Sequence, residues 1–394
     1  MRLLTDWTKG LTQSEARYWS DELYIFGKNE SQMLIRVNEI TSWLTDIFAT
    51  AGCPNEEARL IAVHLVDADA SGHPSHGIVR VPRYVDYIHA GTVRPVCAYE
   101  TLVDSETLCL IDGQYSFGQV LGHHVVNRAE KMCQKNGLGI IALRNAGHLG
   151  RIGGWAELLA DKGLISIHFV TVAGSRIVAP FGGKQARIST APVAIGVPHE
   201  AEDNETQHFI LDFATSRVAE GKILVSQKTG STLPADAMVD ETGADSKIPK
   251  TIYGATASTD VPDPRAGKGA IQTFGQHKGS GLGLACELLA GALTGAGTNA
   301  CDRPFCNGML SIILDPEKLN TDDQIATEIS DFITSIRETS PRKPDQPVLI
   351  PGDPERAKRA EATRQGIELN ATIAAQLKAI SDGLGVSVPD IVQG

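Results

Sequence analysis

The chain has 394 residues, 42% hydrophobic and 21% charged, an ordinary balance for a soluble globular enzyme of two or three structural units. Its formal net charge of -11 argues against nucleic acid or an anionic membrane as a partner, whereas local arginines decide whether a small anion binds. No apolar run approaches the roughly 20 residues that span a bilayer. The first residues also lack the apolar core of a secretion signal, so we expect a cytoplasmic protein.

The N-terminal part of the chain is predicted to be mostly helical. Residues 1–30 are weakly patterned and are expected to form an extension with no assigned role. From residue 31 to residue 51, apolar side chains recur every three or four positions, which predicts an amphipathic helix that ends at Gly52. A second helix is predicted to begin at Asn55, a plausible N-cap, and a short one to cover residues 84–89. Strand-like segments at 100–103 and 107–111 precede a predicted helix over 117–136.

Strands and helices alternate in the remainder of the chain. Strands are predicted at 139–143 and 164–172, with a helix over 154–162 between them. Residues 173–310 are rich in glycine and in short apolar segments, and they include a helix of small residues over 281–294. Its dense glycine, alanine and leucine indicate tight packing against a sheet or a partner subunit. A strand at 311–314 and a helical tail over 323–338 and 354–384 complete the chain.

The segment from Ser71 to Tyr84 concentrates polar chemistry at a turn. Gly72, Pro74 and Gly77 interrupt any regular periodicity, so the polar groups do not follow a helix face. His76 can exchange a proton near neutral pH, and Arg80 can hold a carboxylate or phosphate through two parallel hydrogen bonds. The combination indicates a proton donor beside an anion anchor. The competing interpretation is a surface or capping histidine near arginines.

Three further segments carry candidate site residues. His148 lies among glycines in Asn145–Arg151, at a strand-to-helix turn where backbone N–H groups can approach an anion; otherwise it caps its helix. Asp212 follows a strand and either caps the next helix or orients a histidine. His277, Lys278 and Gly279 enter a glycine-rich helix start, which suits a phosphate by charge and dipole, or they form a solvated loop.

Several site types are disfavoured by the sequence. The glycine-rich segments lack the spacing of a Rossmann fingerprint, so a dinucleotide that binds here must bind outside the usual doubly wound site. No Walker A sequence occurs. No G-x-S-x-G elbow occurs either, and its absence disfavours a serine hydrolase. The cysteines and histidines supply no complete set at zinc-ligand spacing, so no metal site is predicted.

The ordered motifs resemble the malate/L-lactate dehydrogenase type 2 family of NAD(P)-dependent oxidoreductases. The resemblance runs from about residue 32 to the end of the chain. Its motifs are Ser75–Arg80 with Pro82 and Tyr84, Asn145–Arg151, Ala179–Gly183, Ser189–Pro192, Leu211–Ser216 with Ala219, Gly221 and Lys222, His277–Gly279, and Pro347–Gly352. One departure concerns Ala191, where the family usually has asparagine.

The resemblance implies an α/β fold that is not of the Rossmann type. A central mixed or antiparallel sheet over 116–314 would bind the cofactor, NAD or NADP. An outer helical domain would combine 31–115 with 315–394, after the extension over 1–30. The resemblance also implies a homodimer.

Site roles follow from the same resemblance, residue by residue. His76 corresponds to the proton donor, supported by Ser75 and Asp212, although His148 is the proton acceptor in some members. Arg80 matches the anchor for the substrate carboxylate and Thr190 a substrate contact. The remaining matches are cofactor contacts, namely His148, Leu149, Gly150, Arg151, Ile152, His277, Lys278, Gly279, Gly352 and Asp353.

These features predict an oxidoreductase that transfers hydride between NAD(P) and a small 2-hydroxy or 2-oxo acid resembling malate, lactate or sulfolactate. One alternative is reduction of a cyclic imine carboxylate, which would use the same anchor and donor. The other is a binding protein that kept the fold without turnover. The loss of an amide at Ala191 is the one feature that favours this last hypothesis.

Overall fold

A computed structural model of the chain describes residues 33–200, 206–255, 263, 266–298, 305–322 and 324–393. The predicted extension over 1–30 lies outside these residues. The helices are α1 (Val37–Thr50), α2 (Asn55–Ala70), α3 (Val81–His89), α4 (Gly118–Asn136), α5 (Gly153–Ala160), α6 (Glu220–Thr229), α7 (Lys250–Tyr253), α8 (His277–Cys286), α9 (Ile325–Arg337), α10 (Asp353–Gln365), α11 (Ala371–Leu384) and α12 (Asp390–Gln393). A π-helical segment, Glu287–Leu293, continues α8.

The strands form one large mixed sheet and two small ones. They are β1 (Met33–Ile35), β2 (Glu100–Asp104), β3 (Leu108–Asp112), β4 (Leu138–Ala146), β5 (Ile165–Ala173), β6 (Val193–Val197), β7 (Phe209–Phe213), β8 (Met238–Val239), β9 (Asp245–Ser246), β10 (Ala270–Ile271), β11 (Cys306–Leu314) and β12 (Ile367–Leu369). The large sheet has the order β2-β3-β4-β11-β5-β6-β7. In it β3 and β4 run parallel, and the other neighbours run antiparallel.

The two ends of the described chain meet in one helical layer. Strand β1 pairs with β12, so Met33 lies opposite Leu369. Apolar residues of α1, α2, α3 and α11 form one buried cluster, which also includes Phe117 and Val120 next to the large sheet. A second cluster lies between that sheet and helices α4 and α5. The sequence-based domain boundaries stay a prediction, because separate clusters do not set boundaries.

The element predictions are largely confirmed, with differences that have local causes. The helical tail predicted over 354–384 consists of two helices, because Gly366 takes a positive φ of 92° and β12 separates α10 from α11. The strand predicted at 311–314 begins already at Cys306, because the buried side chain of Asn307 bonds to Leu149 N and Thr171 O. The helix predicted from residue 281 begins at His277. Among the described helices, none combines the length and the apolar character that crossing a membrane requires.

Candidate active site

The polar segment after α2 folds into two short 3₁₀ turns, Pro74–His76 and Ile78–Arg80. Oδ2 of Asp69 accepts a hydrogen bond from the backbone N–H of Ile78 at 2.5 Å. A Cβ atom at Gly77 would collide with the Asp69 carboxylate, so only glycine fits between the two turns. Asp69 and Gly77 together therefore fix the conformation of this turn.

The turn forms one wall of a cavity of about 1150 Å³. Strand ends of the large sheet, the loops next to them and the start of α6 supply most of the remaining lining. The polar and charged residues of the lining include Ser75, His76, Arg80, Arg83, Tyr84, His148, Thr190, Asp212, Glu220, Lys222 and Glu355. The cavity thus brings the predicted proton donor and anion anchor of this turn together with the second histidine, His148, which is distant in sequence.

The two histidines lie side by side in this cavity. The rings of His76 and His148 are stacked, with centroids 5.5 Å apart and planes 10° from parallel. Nδ1 of His148 lies 2.5 Å from the hydroxyl of Tyr84, whereas Nδ1 of His76 is buried without a hydrogen-bond partner among the described residues. Burial, and next to it the charge of Arg80, lower the pKa of both imidazoles well below the usual value. Both rings are therefore neutral near pH 7.

Arg80 is oriented by its own turn and by α6. Its Nε donates to the backbone oxygen of Ser75 at 2.6 Å, and its Nη2 lies 3.9 Å from Oε2 of Glu220. Oε1 of Glu220 accepts a hydrogen bond of 2.8 Å from the hydroxyl of Tyr253. These contacts hold the guanidinium at the cavity wall, where it can meet a carboxylate.

Asp212 lines the cavity and also lies at the start of α5. Its Oδ2 accepts a hydrogen bond of 2.6 Å from the backbone N–H of Gly153, so it caps α5. Burial raises the pKa of the Asp212 carboxyl. In the described part of the chain no hydrogen bond joins Asp212 or Ser75 to the ring of His76, although all three line the cavity. The predicted support for His76 by these two residues stays a prediction.

The loop between β4 and α5 contributes both to the cavity and to the core behind it. Gly150, with φ of 74°, and Ile152 line the cavity together with His148. Leu149 is buried, and the side chain of Arg151 is 2% exposed and bonds to Asp67 and Glu157. The guanidinium of Arg151 is thus directed into a buried ion cluster between helices.

Other residues matched to the cofactor lie apart from the cavity lining. His277 and Lys278 are exposed at the start of α8, and Gly279 is buried behind them. Asp353 bonds to Arg337 and Arg356, while its neighbours Pro354 and Glu355 line the cavity. Their cofactor roles stay predictions.

The segment around Thr190 is held from behind the cavity. The backbone oxygen of Thr190 accepts hydrogen bonds from the N–H and the hydroxyl of Thr215. Ala191 has a positive φ of 40° and is fully buried with Val193 and Cys286. The departure from asparagine at this position therefore lies behind the wall rather than in the lining.

Sequence reasoning missed three polar residues near the site. Gln119 bonds to Tyr84, Glu220 approaches Arg80, and Glu287 accepts a hydrogen bond of 2.7 Å from the backbone N–H of Ser189. Gln119 and Glu287 are single polar residues of helical segments with no motif around them, and Glu220 lies between the motif residues Ala219 and Gly221 without an assigned role. For Gln119, the only sequence signal is its place next to an apolar helix face.

An α/β protein with two neutral histidines and an oriented arginine in one deep cavity belongs to the class of enzymes that handle small anionic substrates. Comparison with known proteins narrows this class. The family model described as malate/L-lactate dehydrogenase matches residues 35–378, and the chain belongs to this family. Within the described residues, no group of three or more histidine, cysteine or acidic side chains could hold a metal ion.

Individual relatives resemble nearly the whole chain. Hydroxycarboxylate dehydrogenase B of Escherichia coli K12 is 34% identical over 84% of this chain and 88% of its own length. An L-lactate dehydrogenase of Cupriavidus necator is 32% identical over 91% of this chain and 99% of its own length. The solved structure of a dehydrogenase from Sinorhizobium meliloti is 34% identical, with a TM-score of 0.77, over 89% of this chain and 98% of that one.

Proposed function

We propose that the protein is an NAD(P)-dependent dehydrogenase that transfers hydride between nicotinamide and the C2 atom of a small 2-hydroxy or 2-oxo acid. The observation that carries this proposal is the common cavity of His76, His148 and Arg80. Relatives named for hydroxycarboxylate and L-lactate support the substrate class. A proton carrier and a carboxylate anchor are the two groups that such a reaction asks of the protein.

The size and charge of the cavity fit a dinucleotide beside a small acid. Its volume of about 1150 Å³ exceeds that of most small-molecule sites, which hold about 300–1,000 Å³. Arg83 and Lys222 add positive charge to the lining, which suits phosphates. We propose that Gly150 and Ile152 hold the cofactor, with further contacts from the His277–Gly279 and Gly352–Asp353 segments. Because the sheet is largely antiparallel, this site is proposed to differ from a Rossmann site.

The residues of the chain have separate tasks in the proposed reaction. When bound, the cofactor supplies or accepts the hydride. Arg80 binds the substrate carboxylate and turns binding energy into orientation. The neutral ring of His76 takes the hydroxyl proton in the oxidising direction, and its protonated form returns the proton in the reducing direction.

We also propose that two copies of the chain associate in the cytoplasm. Leu284 and Leu288 lie one helical turn apart, and their exposed fractions of 45% and 63% are high for leucine. Light scattering should give twice the mass of one chain. Leu288→Glu should shift the population towards the monomer, and an unchanged mass would contradict this interface.

Purified protein tests the proposed reaction directly. Lactate, malate and sulfolactate with NAD or NADP, and the matching 2-oxo acids with the reduced cofactors, are followed by nicotinamide absorbance. Turnover of at least one acid is expected. Turnover of a cyclic imine carboxylate alone would favour the alternative substrate class. Quenching of nicotinamide fluorescence without turnover would favour a binding protein.

A further inference from the structure

A chain of three buried polar side chains ends at His148. Gln119, on α4, is fully buried, and its Nε2 donates a hydrogen bond to the hydroxyl oxygen of Tyr84 at 3.0 Å. Tyr84 is 2% exposed, and the same oxygen lies 2.5 Å from Nδ1 of His148. The ring of His148 lines the cavity, so its other nitrogen, Nε2, is left for a ligand.

The proton positions follow from the donors and acceptors in this chain. An amide nitrogen can only donate, so the tyrosine oxygen accepts from Gln119 and its own proton must point to His148. Nδ1 of His148 then accepts, and the proton of the neutral ring resides on Nε2. Burial raises the pKa of Tyr84, so the hydroxyl keeps its proton.

The orientation of the Gln119 amide is supported by the cost of the reverse one. In the observed orientation, the buried acceptor Oε1 and one of the two N–H groups of Nε2 have no hydrogen-bond partner among the described residues. With the amide reversed, Oε1 would accept from Tyr84, and both N–H donors of Nε2 would be the buried groups left over. The two orientations therefore differ in one group, and a buried N–H is left without a partner less often than a buried carbonyl oxygen, which favours the observed orientation.

We propose that Gln119 is a positioning residue that acts through Tyr84 to hold His148 as the Nε2–H tautomer, which donates a hydrogen bond to the substrate oxygen. This inference rests on the proposed function for the identity of the substrate, but the tautomer of His148 is set by the protein and does not depend on the substrate. The tautomer also assigns different roles to His148 and His76. A ring that carries its proton on Nε2 polarises a carbonyl, as a neutral imidazole can, and does not take a proton from a hydroxyl. His76, whose Nδ1 has no such chain behind it, remains the proton carrier.

The tautomer can be read without any substrate. Unliganded protein labelled with ¹⁵N-histidine is studied by long-range proton–nitrogen correlation, with His148→Gln to assign the signals. We expect His148 to show a protonated Nε2 and an unprotonated, hydrogen-bonded Nδ1. Gln119→Met removes the donor and the unsatisfied acceptor together, so it should fold, and Tyr84 should then allow both tautomers. A protonated Nδ1 in the wild type, or an unchanged spectrum in Gln119→Met, would overturn the inference.

Kinetics provide the second measurement. Gln119→Met should lower kcat for 2-oxo acid reduction about 10-fold with KM nearly unchanged, a smaller loss than the roughly 10²–10³ caused by deleting a direct oxyanion donor. Gln134→Met, on the exposed side of the same helix, is the matched control and should leave kcat unchanged. An unchanged kcat in Gln119→Met would remove the residue from the reaction. If the wild type shows the expected spectrum but no turnover, the proposed function is contradicted and the tautomer assignment is not.

Discussion

Nε of Arg80 donates to the backbone oxygen of Ser75 at 2.6 Å, which couples the proposed carboxylate anchor to the residue immediately before His76. Both groups therefore belong to one rigid turn, closed by Asp69 and Gly77. A substrate held by Arg80 is brought to His76 without any movement of one element relative to another. This coupling explains why an arginine, with several donors in a plane, occupies the position.

The first prediction concerns the geometry of that guanidinium. Lysine in Arg80→Lys keeps the charge but cannot bond to Ser75 and hold a carboxylate with two parallel hydrogen bonds. We expect KM for the 2-oxo acid to rise about 10- to 100-fold, the equivalent of one charged hydrogen bond of roughly 1.5–3 kcal/mol. Steady-state kinetics measure it. Arg128→Lys, at an exposed ion pair with Asp104, is the control and should leave KM unchanged.

The second prediction separates the two histidines. His76→Ala should lower kcat by roughly 10²–10⁴, the usual contribution of a positioned proton carrier, while cofactor binding measured by fluorescence stays unchanged. His148→Gln removes a hydrogen-bond donor to the substrate oxygen and should cost roughly 10²–10³ in kcat. If His76→Ala keeps its turnover and the change at His148 abolishes it, the proton carrier is His148.

The third prediction is the pH dependence of the oxidising direction. Because burial lowers the pKa of His76, the ring is already neutral below the usual histidine value and is ready to accept a proton. We expect kcat/KM for the hydroxy acid to show no inflection near the usual histidine pKa of about 6.5. Kinetics between pH 5 and pH 8 test this. A tenfold fall per pH unit from about 6.5 downwards would contradict it.

Local sequence signals anticipated most of the elements and several of the residues that line the cavity. The helix predicted over 117–136 is found as α4, because Gly137 takes the left-handed conformation that ends it. His76, Arg80 and His148 could be singled out because glycines mark their turns and because a titratable ring and a guanidinium together suit an anionic substrate. Local signals did not predict their meeting in one cavity, which followed only from the family resemblance, because it depends on how the helical layer packs against the large sheet.

Long-range polar contacts could not be predicted from local sequence signals either, because they also depend on how the elements pack. Asp212 was equally compatible with a cap of the helix that follows it or with a histidine partner, whereas in the structure its carboxylate bonds to the N–H of Gly153 at the start of α5, a contact that depends on the packing of β7 against α5. Arg151 lies in a motif that resembles a cofactor contact, yet its side chain is drawn to carboxylates on α2 and α5. A motif identifies the backbone position but not the direction in which a long side chain points.

The fourth prediction concerns this ion cluster. Arg151 and Arg359 share the carboxylates of Asp67 and Glu157, which joins α2, α5 and α10. Arg151→Met should lower the free energy of unfolding by about 1–3 kcal/mol, because Asp67 and Glu157 lose the buried one of their two shared guanidiniums and keep only Arg359. Arg128→Met, at an exposed pair, should cost less than about 1 kcal/mol. Urea unfolding measures both. Equal small losses, with weakened cofactor binding in Arg151→Met, would instead favour a cofactor contact.

The last prediction concerns Asp69, which closes the turn before Arg80. Burial raises the pKa of its carboxyl to about 7. Since this folded-state pKa lies above the ordinary aspartate value, the stabilisation is complete below that ordinary value and is lost as the pH rises through about 7. Asparagine cannot ionise, and its oxygen can still accept from Ile78. Asp69→Asn should therefore flatten the fall in the free energy of unfolding between pH 5 and pH 8, measured by urea unfolding.

Asp240→Asn is the matched control. The Asp240 carboxylate accepts hydrogen bonds in an exposed turn, which lower its pKa, so its replacement should shift the free energy of unfolding equally at pH 5 and at pH 8. Parallel curves for Asp69→Asn and the wild type would mean that Asp69 does not titrate in this range.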